Sequence, residues 1–515
     1  MAVDYDVVII GGSLAGRYAA VAAAQLRATV ALIEPLPRSE GTEGAEGEDN
    51  SPTTRHSPLT THHSPLATRH SPLATHLLPH TLAQIGQLTQ QLASASQFGI
   101  HLLNTDIAKN CQSLQLTEAM QWASSVISNL EDQNSPAVLA GLGVDFIQGN
   151  GQFESQPRQG FAVNNRRLSA RSYLLATNSR PVIPEIEGLQ ADYITPGEIW
   201  QPLTCQNPPQ RWVILGSDPT GCQLAQTLAS FGLDVTLIVK RSHILAKEDP
   251  EIAQLVQAIL EAEGVKVFTS TSVTQVKRIG DKKWIQAGDE AMEFDEVLLC
   301  AGYKPDLENL NLEALGVRLK RRRLVLNEKL QTTNHRIYAC GDAIGGYQFA
   351  NIANYEAGIA LKNALFFPKF KVDYRSIPWV IFTQPQLARV GLTEAQARRI
   401  YASDVVILRQ HFKTVAAAQI QDEITGIFKL IVRRNGEILG AAVIGSQAGE
   451  IINLIALAIA SKLKVDAIAS LAPVYPSFSE ILHQIAVEYR GARIERNSAL
   501  QNFLEGFFSF RRSYF

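Results

Sequence analysis

Residues 5–35 read YDVVIIGGSLAGRYAAVAAAQLRATVALIEP, and the order of features in this stretch decides the fold. An apolar strand, Val7 to Ile10, meets a glycine turn and then an alanine-rich helix. A second strand runs from Thr29 to Ile33 and ends at Glu34. This is a βαβ unit in which Gly11 makes the tight turn, Gly12 continues it, and Gly16 lets helix and strand approach closely. Ser13 stands at the middle position of the fingerprint, where glycine is usual; serine is small enough to serve. The free N–H groups and positive dipole end of the helix favour a pyrophosphate there. Glu34 is placed to hold both hydroxyls of an adenosine ribose. A doubly wound domain without a nucleotide is the plainer alternative, and the full strand–turn–helix–strand–acid set weighs against it.

A second copy begins at Arg211: RWVILGSDPTGCQLAQTLASFGLDVTLIVKRSHIL, residues 211–245. The strand Trp212 to Leu215, the turn from Gly216 to Gly221 and the helix after it repeat the first pattern. Here the second strand runs into Lys240 and Arg241 rather than an acid. A basic pair suits the 2′-phosphate of NADP better than the bare ribose of NAD; its plainer role is to solvate a strand end. Asp218 occupies the middle glycine position. A carboxylate about 4 Å from a pyrophosphate charge is repelled by roughly 1 to 4 kcal/mol, which at the upper end is about three orders of magnitude in affinity. A carboxylate turned to solvent would escape most of that, and the sequence leaves both orientations open.

A third signal is RIYACGDAIGG, residues 336–346, followed by a helix beginning near Ala350. An acid such as Asp342, after Gly341 at a strand end, can hold a polyol hydroxyl. Two stretches, LLATNSRPVIP (residues 174–184) and LLCAGYKPD (residues 298–306), read as crossings between nested domains. Beyond Pro378 the strands GIFKLIVRR and EILGAAVIG lead to the helix EIINLIALAIASKL, an α+β unit with no glycine fingerprint and most simply an oligomerisation domain.

The chain as a whole sets bounds on this reading. Its 515 residues exceed one ordinary domain and suggest about three. A composition of 46% hydrophobic and 19% charged residues is that of a globular protein with a substantial core. A net charge of −2 argues against a general nucleic-acid binder. Cys111, Cys205, Cys222, Cys300 and Cys340 are scattered, without C-x-x-C or metal-ligand spacing, as expected of buried thiols in a reducing compartment. The start MAVDYDVVII runs directly into structure, and the longest apolar run, after Glu450, is too short to span a bilayer. The expectation is a cytoplasmic protein, or one that touches a membrane only at its surface.

Between the first βαβ unit and the helix HLLPHTLAQIGQLTQQL lies RHSPLTTHHSPLATRHSPLATH, residues 55–76, three near-copies of a seven-residue unit. Six of the eleven histidines fall between His56 and His80. Histidine at seven-residue intervals on a proline-rich chain fixes no tetrahedral geometry, so no metal site is assigned. An expanded, disordered surface insert is tolerated because loop closure costs only about 0.6 kcal/mol per doubling of length. The final stretch, NSALQNFLEGFFSFRRSYF, is rich in Phe and Arg and suits either docking on a partner or membrane surface, or packing within the dimer.

This order of features resembles the pyridine nucleotide–disulfide oxidoreductases, the family of dihydrolipoamide dehydrogenase and mercuric reductase, over roughly residues 5–489. The resemblance implies two nested Rossmann-like dinucleotide-binding domains plus a C-terminal α+β dimerisation domain. The FAD-binding domain would comprise residues 1–190 and 306–370, with residues 36–76 as the disordered insert. Residues 191–305 would bind NAD(P), residues 371–490 would dimerise, and residues 491–515 form an aromatic and basic tail. FAD would be held by Gly11, Gly12, Ser13, Gly16, Glu34, Gly341 and Asp342. NADPH, or alternatively NADH, would be held by Gly216, Gly221, Lys240 and Arg241.

The departures from the family are as informative. The family carries two cysteines spaced C-x-x-x-x-C after the second strand, then a lysine beside the flavin; no cysteine precedes Cys111 here, and the lysine position falls near Thr75. The glutamate that partners that lysine is replaced by Gln223. Tyr475 stands where disulfide reductases have their catalytic histidine, with Glu480 five residues on, and no cysteine follows Cys340. The expectation is a homodimeric NAD(P)H-dependent flavoenzyme whose acceptor is a small molecule and not a disulfide: a quinone, dye, metal ion or oxygen. Tyr475 and Glu480 would line the acceptor side. The alternative is a non-catalytic FAD-binding dimer acting as scaffold or redox sensor.

Overall fold

The computed structural model describes residues 3–36, 72–95, 115–156, 158–189, 193–280, 282–346, 348–495 and 497–514. Most of the repeat insert, and Cys111, lie outside the described residues. The chain divides into two compact units. One comprises Met1–Thr81, Leu116–Arg180 and Tyr303–Val372; the other comprises Leu82–Gln115, Pro181–Gly302 and Asp373–Phe515.

The first unit is built on a five-stranded parallel sheet. Its centre is β1 (Tyr5–Ile10), flanked by β2 (Val30–Glu34) and β4 (Ala170–Leu175), with β3 (Val144–Gln148) and β9 (Ile337–Ala339) at the edges. Ile10 of β1 lies opposite both Ile33 and Leu175, so the glycine turn leaves the sheet between the carboxyl ends of its neighbours. Residues 7–10 are buried to 3% or less, as a central parallel strand covered on both faces must be. On one face α1 (Leu14–Gln25) packs against α7 (Ala350–Leu365) through Ala15, Ala19 and Ala23 on the first and Ala353, Ala357 and Ala360 on the second. Small side chains on both surfaces let the helices approach closely. The opposite face is covered by a three-stranded meander over residues 151–168, where Phe153 meets Phe161 and Tyr173 edge-on at 5.1 and 5.3 Å.

A helix, α2 (Pro72–Ser94), starts inside the last copy of the repeat, a few residues before the end of the segment read as insert. Proline suits the first turn of a helix because its missing N–H would be unsatisfied there anyway. The boundary between the units falls within α2.

Two sheets of the second unit carry segments singled out in the sequence. One is parallel, in the order β7 (Lys266–Phe268), β6 (Asp234–Ile238), β5 (Arg211–Leu215), β8 (Glu296–Leu299), with α5 (Pro219–Ser230) following β5 and α6 (Pro250–Ala262) preceding β7. The other is a five-stranded antiparallel sheet in the order β10 (Trp379–Ile381), β11 (Gln386–Gly391), β14 (Ile438–Gly445), β13 (Ile427–Arg433), β12 (Val405–His411). Its core is shared with α8 (Ala448–Ala460) and α9 (Glu480–Glu495). A last helix, α10 (Ser498–Tyr514), follows.

Lys429 on β13 is 2% exposed, its Nζ lying 2.9 Å from Glu394, 3.0 Å from Glu251 and 3.3 Å from Asp249. Asp249 and Glu251 belong to the N-terminus of α6, so one buried ammonium joins the parallel sheet's helix layer to the antiparallel sheet. The chain is thus an α/β protein in which one dinucleotide fold is inserted in the sequence of another and an α+β segment follows.

Candidate functional site

The first glycine turn is shaped by contacts that exclude a side chain. Gly11 has φ of 116°, and a Cβ there would fall 2.2 Å from the carbonyl oxygen of Ala176. A Cβ on Gly16 would fall 2.0 Å from the Gly11 carbonyl oxygen, and one on Gly12 would meet the Glu34 carboxyl group at 2.6 Å. Ser13 caps α1, its Oγ accepting from the Gly16 N–H at 3.2 Å. Arg17 donates from Nη2 to both oxygens of Glu34 at 2.9 and 3.0 Å, and from Nε to the Gly12 carbonyl. That clamp fixes the carboxylate at the end of β2, beside the turn.

Gly341, with φ of 61°, donates its N–H to the buried carboxylate of Glu356 on α7 at 2.8 Å. Asp342 accepts from the Ser179 hydroxyl at 2.6 Å. His76 on α2 faces Asp342; burial pushes the imidazole pKa down and the Asp342 charge opposes this. Thr75, assigned to the lysine position, immediately precedes it in the first turn of α2. Glu131, on α3 (Leu116–Asp132), is raised to about 7 by burial, with Arg17 opposing and Asp132 and Glu34 adding to the rise.

Arg17, Glu356 and His76 were not singled out from sequence. Arg17 lies one residue past Gly16, and Glu356 in the second turn of the helix expected near Ala350, so each position was legible but its partner was not. His76 was hidden in the last copy of the repeat.

These residues fit a dinucleotide. The turn is a cradle that any Cβ would fill, it opens at a helix N-terminus, and Thr177, next to Ala176, buries a hydroxyl oxygen with no hydrogen-bond partner among the described residues.

The second turn repeats the construction. Gly216 has φ of 102°, and its Cβ would fall 2.2 Å from the carbonyl oxygen of Cys300; a Cβ on Gly221 would lie 2.7 Å from the Cys300 Cβ. The difference is the capping group. Asp218 turns inward and accepts from the Gly221 N–H at 2.7 Å, as Ser13 does from Gly16. Burial raises its carboxyl to about 6, with the Gly221 N–H pulling the other way. Lys240 and Arg241 are exposed, and neither forms an ion pair among the described residues.

Tyr475 is exposed, and Glu480 opens α9 with one oxygen accepting from Gln484 at 2.9 Å and the other buried without a hydrogen-bond partner among the described residues. No hydrogen bond joins Tyr475 to Glu480 among the described residues. Cys222, Cys300 and Cys340 are buried and their thiols are pushed up by burial first, with Asp218 adding to the first two and Glu356 to the third, whereas Cys205 is exposed and not buried as expected. No cluster of three or more metal-ligating side chains occurs among the described residues.

Residues 5–357 match the family model of pyridine nucleotide-disulphide oxidoreductases, and residues 377–486 match that family's dimerisation domain. A mercuric reductase of Staphylococcus aureus is 29% identical over 493 residues, covering 94% of this chain and 82% of its own length. Dihydrolipoyl dehydrogenase of Bacillus subtilis is 28% identical over 94% of this chain and 99% of its own length. Among solved structures, LpdA of Mycobacterium tuberculosis superimposes with a TM-score of 0.78 at 23% identity, over 94% of this chain and 99% of that one. The flavoprotein disulfide reductase RclA of Escherichia coli gives 0.76 at 23%, with the same coverage of both chains. With two glycine cradles on parallel sheets and a matched dimerisation segment, the chain belongs to the pyridine nucleotide-disulphide oxidoreductase family, whose members are FAD-dependent and work with NAD(P)H.

Proposed function

We propose that the protein takes electrons from NADPH and passes them, through FAD, to a small acceptor that is not a disulfide. The observation that carries this reading is the state of its thiols. No cysteine lies between Met1 and Asn110, where the family's redox pair belongs. The described buried cysteines are held as neutral thiols, and thiol chemistry needs the thiolate. A quinone, dye, metal ion or oxygen can accept electrons without a protein dithiol.

In this reading Gly11, Gly12, Ser13 and Gly16 admit the pyrophosphate of FAD to the N-terminus of α1. Glu34, oriented by Arg17, holds the adenosine ribose, and Asp342 with Gly341 holds the polyol chain. Bound FAD supplies the two-electron relay, and the protein supplies position and field. Gly216 and Gly221 cradle the nicotinamide dinucleotide, Lys240 and Arg241 favour a 2′-phosphate, and Tyr475 and Glu480 line the acceptor side.

A second reading, a flavoprotein dimer that binds FAD but serves as scaffold or sensor, is favoured by Asp218. Unlike Ser13, it puts a buried carboxyl group at the helix end that would otherwise bind a nucleotide phosphate. Anaerobic titration of the purified flavoprotein with NADPH, then NADH, separates the two. Stoichiometric bleaching of the visible flavin band, at lower concentration with NADPH, is the expected result. A flavin that stays yellow in excess of both nucleotides would sink the reductase reading and leave the second.

A further inference from the structure

We propose that Glu131 belongs to the FAD cradle and accepts a hydrogen bond from the 6-amino group of the adenine. The proposal rests on the assignment of the first glycine turn to FAD and extends it from the ribose to the base.

Met120, Ala123 and Ile127 are the buried residues of α3, spaced as one face of a helix requires. Glu131 follows Ile127 by four positions, so the same face ends in a carboxyl group where the pattern calls for an apolar side chain. Its Oε1 is buried with no hydrogen-bond partner among the described residues. Desolvating that oxygen is a cost with no bond in return, and a leucine would complete the face without it.

Backbone bonds fix where this carboxyl group sits. After α3 the Asn134 N–H donates to the Glu131 carbonyl at 2.9 Å, and the Asn134 carbonyl accepts from Nη1 of Arg17 at 2.6 Å. Ser135 then caps α4 (Pro136–Gly141), its Oγ accepting from the Val138 N–H at 3.4 Å. The same guanidinium holds both oxygens of Glu34 through Nη2 and the Gly12 carbonyl through Nε. One arginine thus joins the glycine turn, the acid that ends β2 and the turn that carries Glu131. Its nitrogens bond Glu34, Asn134 and Gly12, and it offsets the Glu131 charge without bonding the buried oxygen.

The chemistry of the ligand selects the atom. Glu34 serves the ribose hydroxyls, and the one other hydrogen-bond donor of the adenosine is the 6-amino group. A carboxylate oxygen without a partner is the matching acceptor. Burial, with Asp132 and Glu34 adding, holds the free carboxyl group near neutrality; an amino donor favours its charged form.

The test is equilibrium binding to full-length apoprotein, followed by flavin fluorescence. Two ligands are compared: FAD, and the FAD analogue with purine in place of adenine, which lacks only the 6-amino group. Wild type should prefer FAD by about ten- to a hundredfold. Glu131→Leu should bind the two alike, while Glu131→Gln, which keeps an acceptor oxygen, should retain a preference for FAD. Equal binding of both ligands by wild type overturns the proposal. So does a leucine variant that weakens both ligands and keeps their ratio, since that is the mark of a merely structural side chain. Apoprotein that binds neither ligand would sink the assignment of the turn to FAD, and this proposal with it.

Discussion

Ser13 and Asp218 do the same local work, each capping its own helix through the N–H three residues on, yet they leave different surfaces for a nucleotide. The serine is neutral. The aspartate presents a carboxylate whose folded pKa, about 6, lies above its ordinary 3.8 because burial disfavours the charge. Such a group contributes its full stability below pH 3.8 and loses it as pH rises through 6. Asp218→Asn keeps an acceptor for Gly221 and removes the charge. Wild type and variant should be equally stable near the acid end and diverge above neutrality, the Asn form gaining about 1 to 3 kcal/mol in urea unfolding. Asp218→Gly, which weakens a cap by only a few tenths of a kcal/mol, should bind NADP⁺ about ten to a thousand times more tightly at pH 8 by calorimetry. Equal affinities would mean that the nucleotide phosphates do not approach this turn.

Elements in the second unit are tied by charge as well as by packing. Lys429 on β13 reaches Asp249 and Glu251 at the start of α6, and Glu394 at the start of a helix capped by Thr393 through Gln396. Arg409 and then Lys429 hold the Glu251 carboxyl down at about 2, against burial. Its contribution is therefore present above pH 4.5 and lost as pH falls through 2. Lys429→Met leaves these acids without their buried partner and should cost about 3 to 5 kcal/mol, read as a drop in the denaturation midpoint. The variant should also show a flatter acid limb between pH 4.5 and 2 than wild type. An unchanged midpoint would show that Arg409 alone neutralises the cluster.

At the scale of the whole molecule, the match of residues 377–486 to a dimerisation domain gives a use for apolar surface that one chain leaves bare. Leu454 and Leu457 on α8 are exposed by 45% and 62%, although the same helix buries Ile451, Ile452 and Ile455 in the core. A helix apolar on both sides needs two partners. Leu457→Asp should leave the isolated fold intact and weaken the dimer by about two orders of magnitude or more, seen as half the mass by sedimentation equilibrium. A dimer unaffected by this charge would place the subunit contact elsewhere.

The two βαβ units, the acid after one and the basic pair after the other, and the missing cysteine pair were all readable in order of residues. Each is a local pattern: a strand, a turn of fixed spacing and a helix within about thirty residues. Tertiary structure decided which way the polar groups face. Ala176 and Cys300 close over Gly11 and Gly216 only because β4 and β8 pair in parallel beside β1 and β5. Glu356 meets the Gly341 N–H through helix packing, Asp342 finds Ser179 across 163 residues of chain, and Asp218 turns inward. Sequence spacing supplies a side chain to an element's end; its partner and its charge state depend on sheet order, register and burial, which are properties of the folded chain.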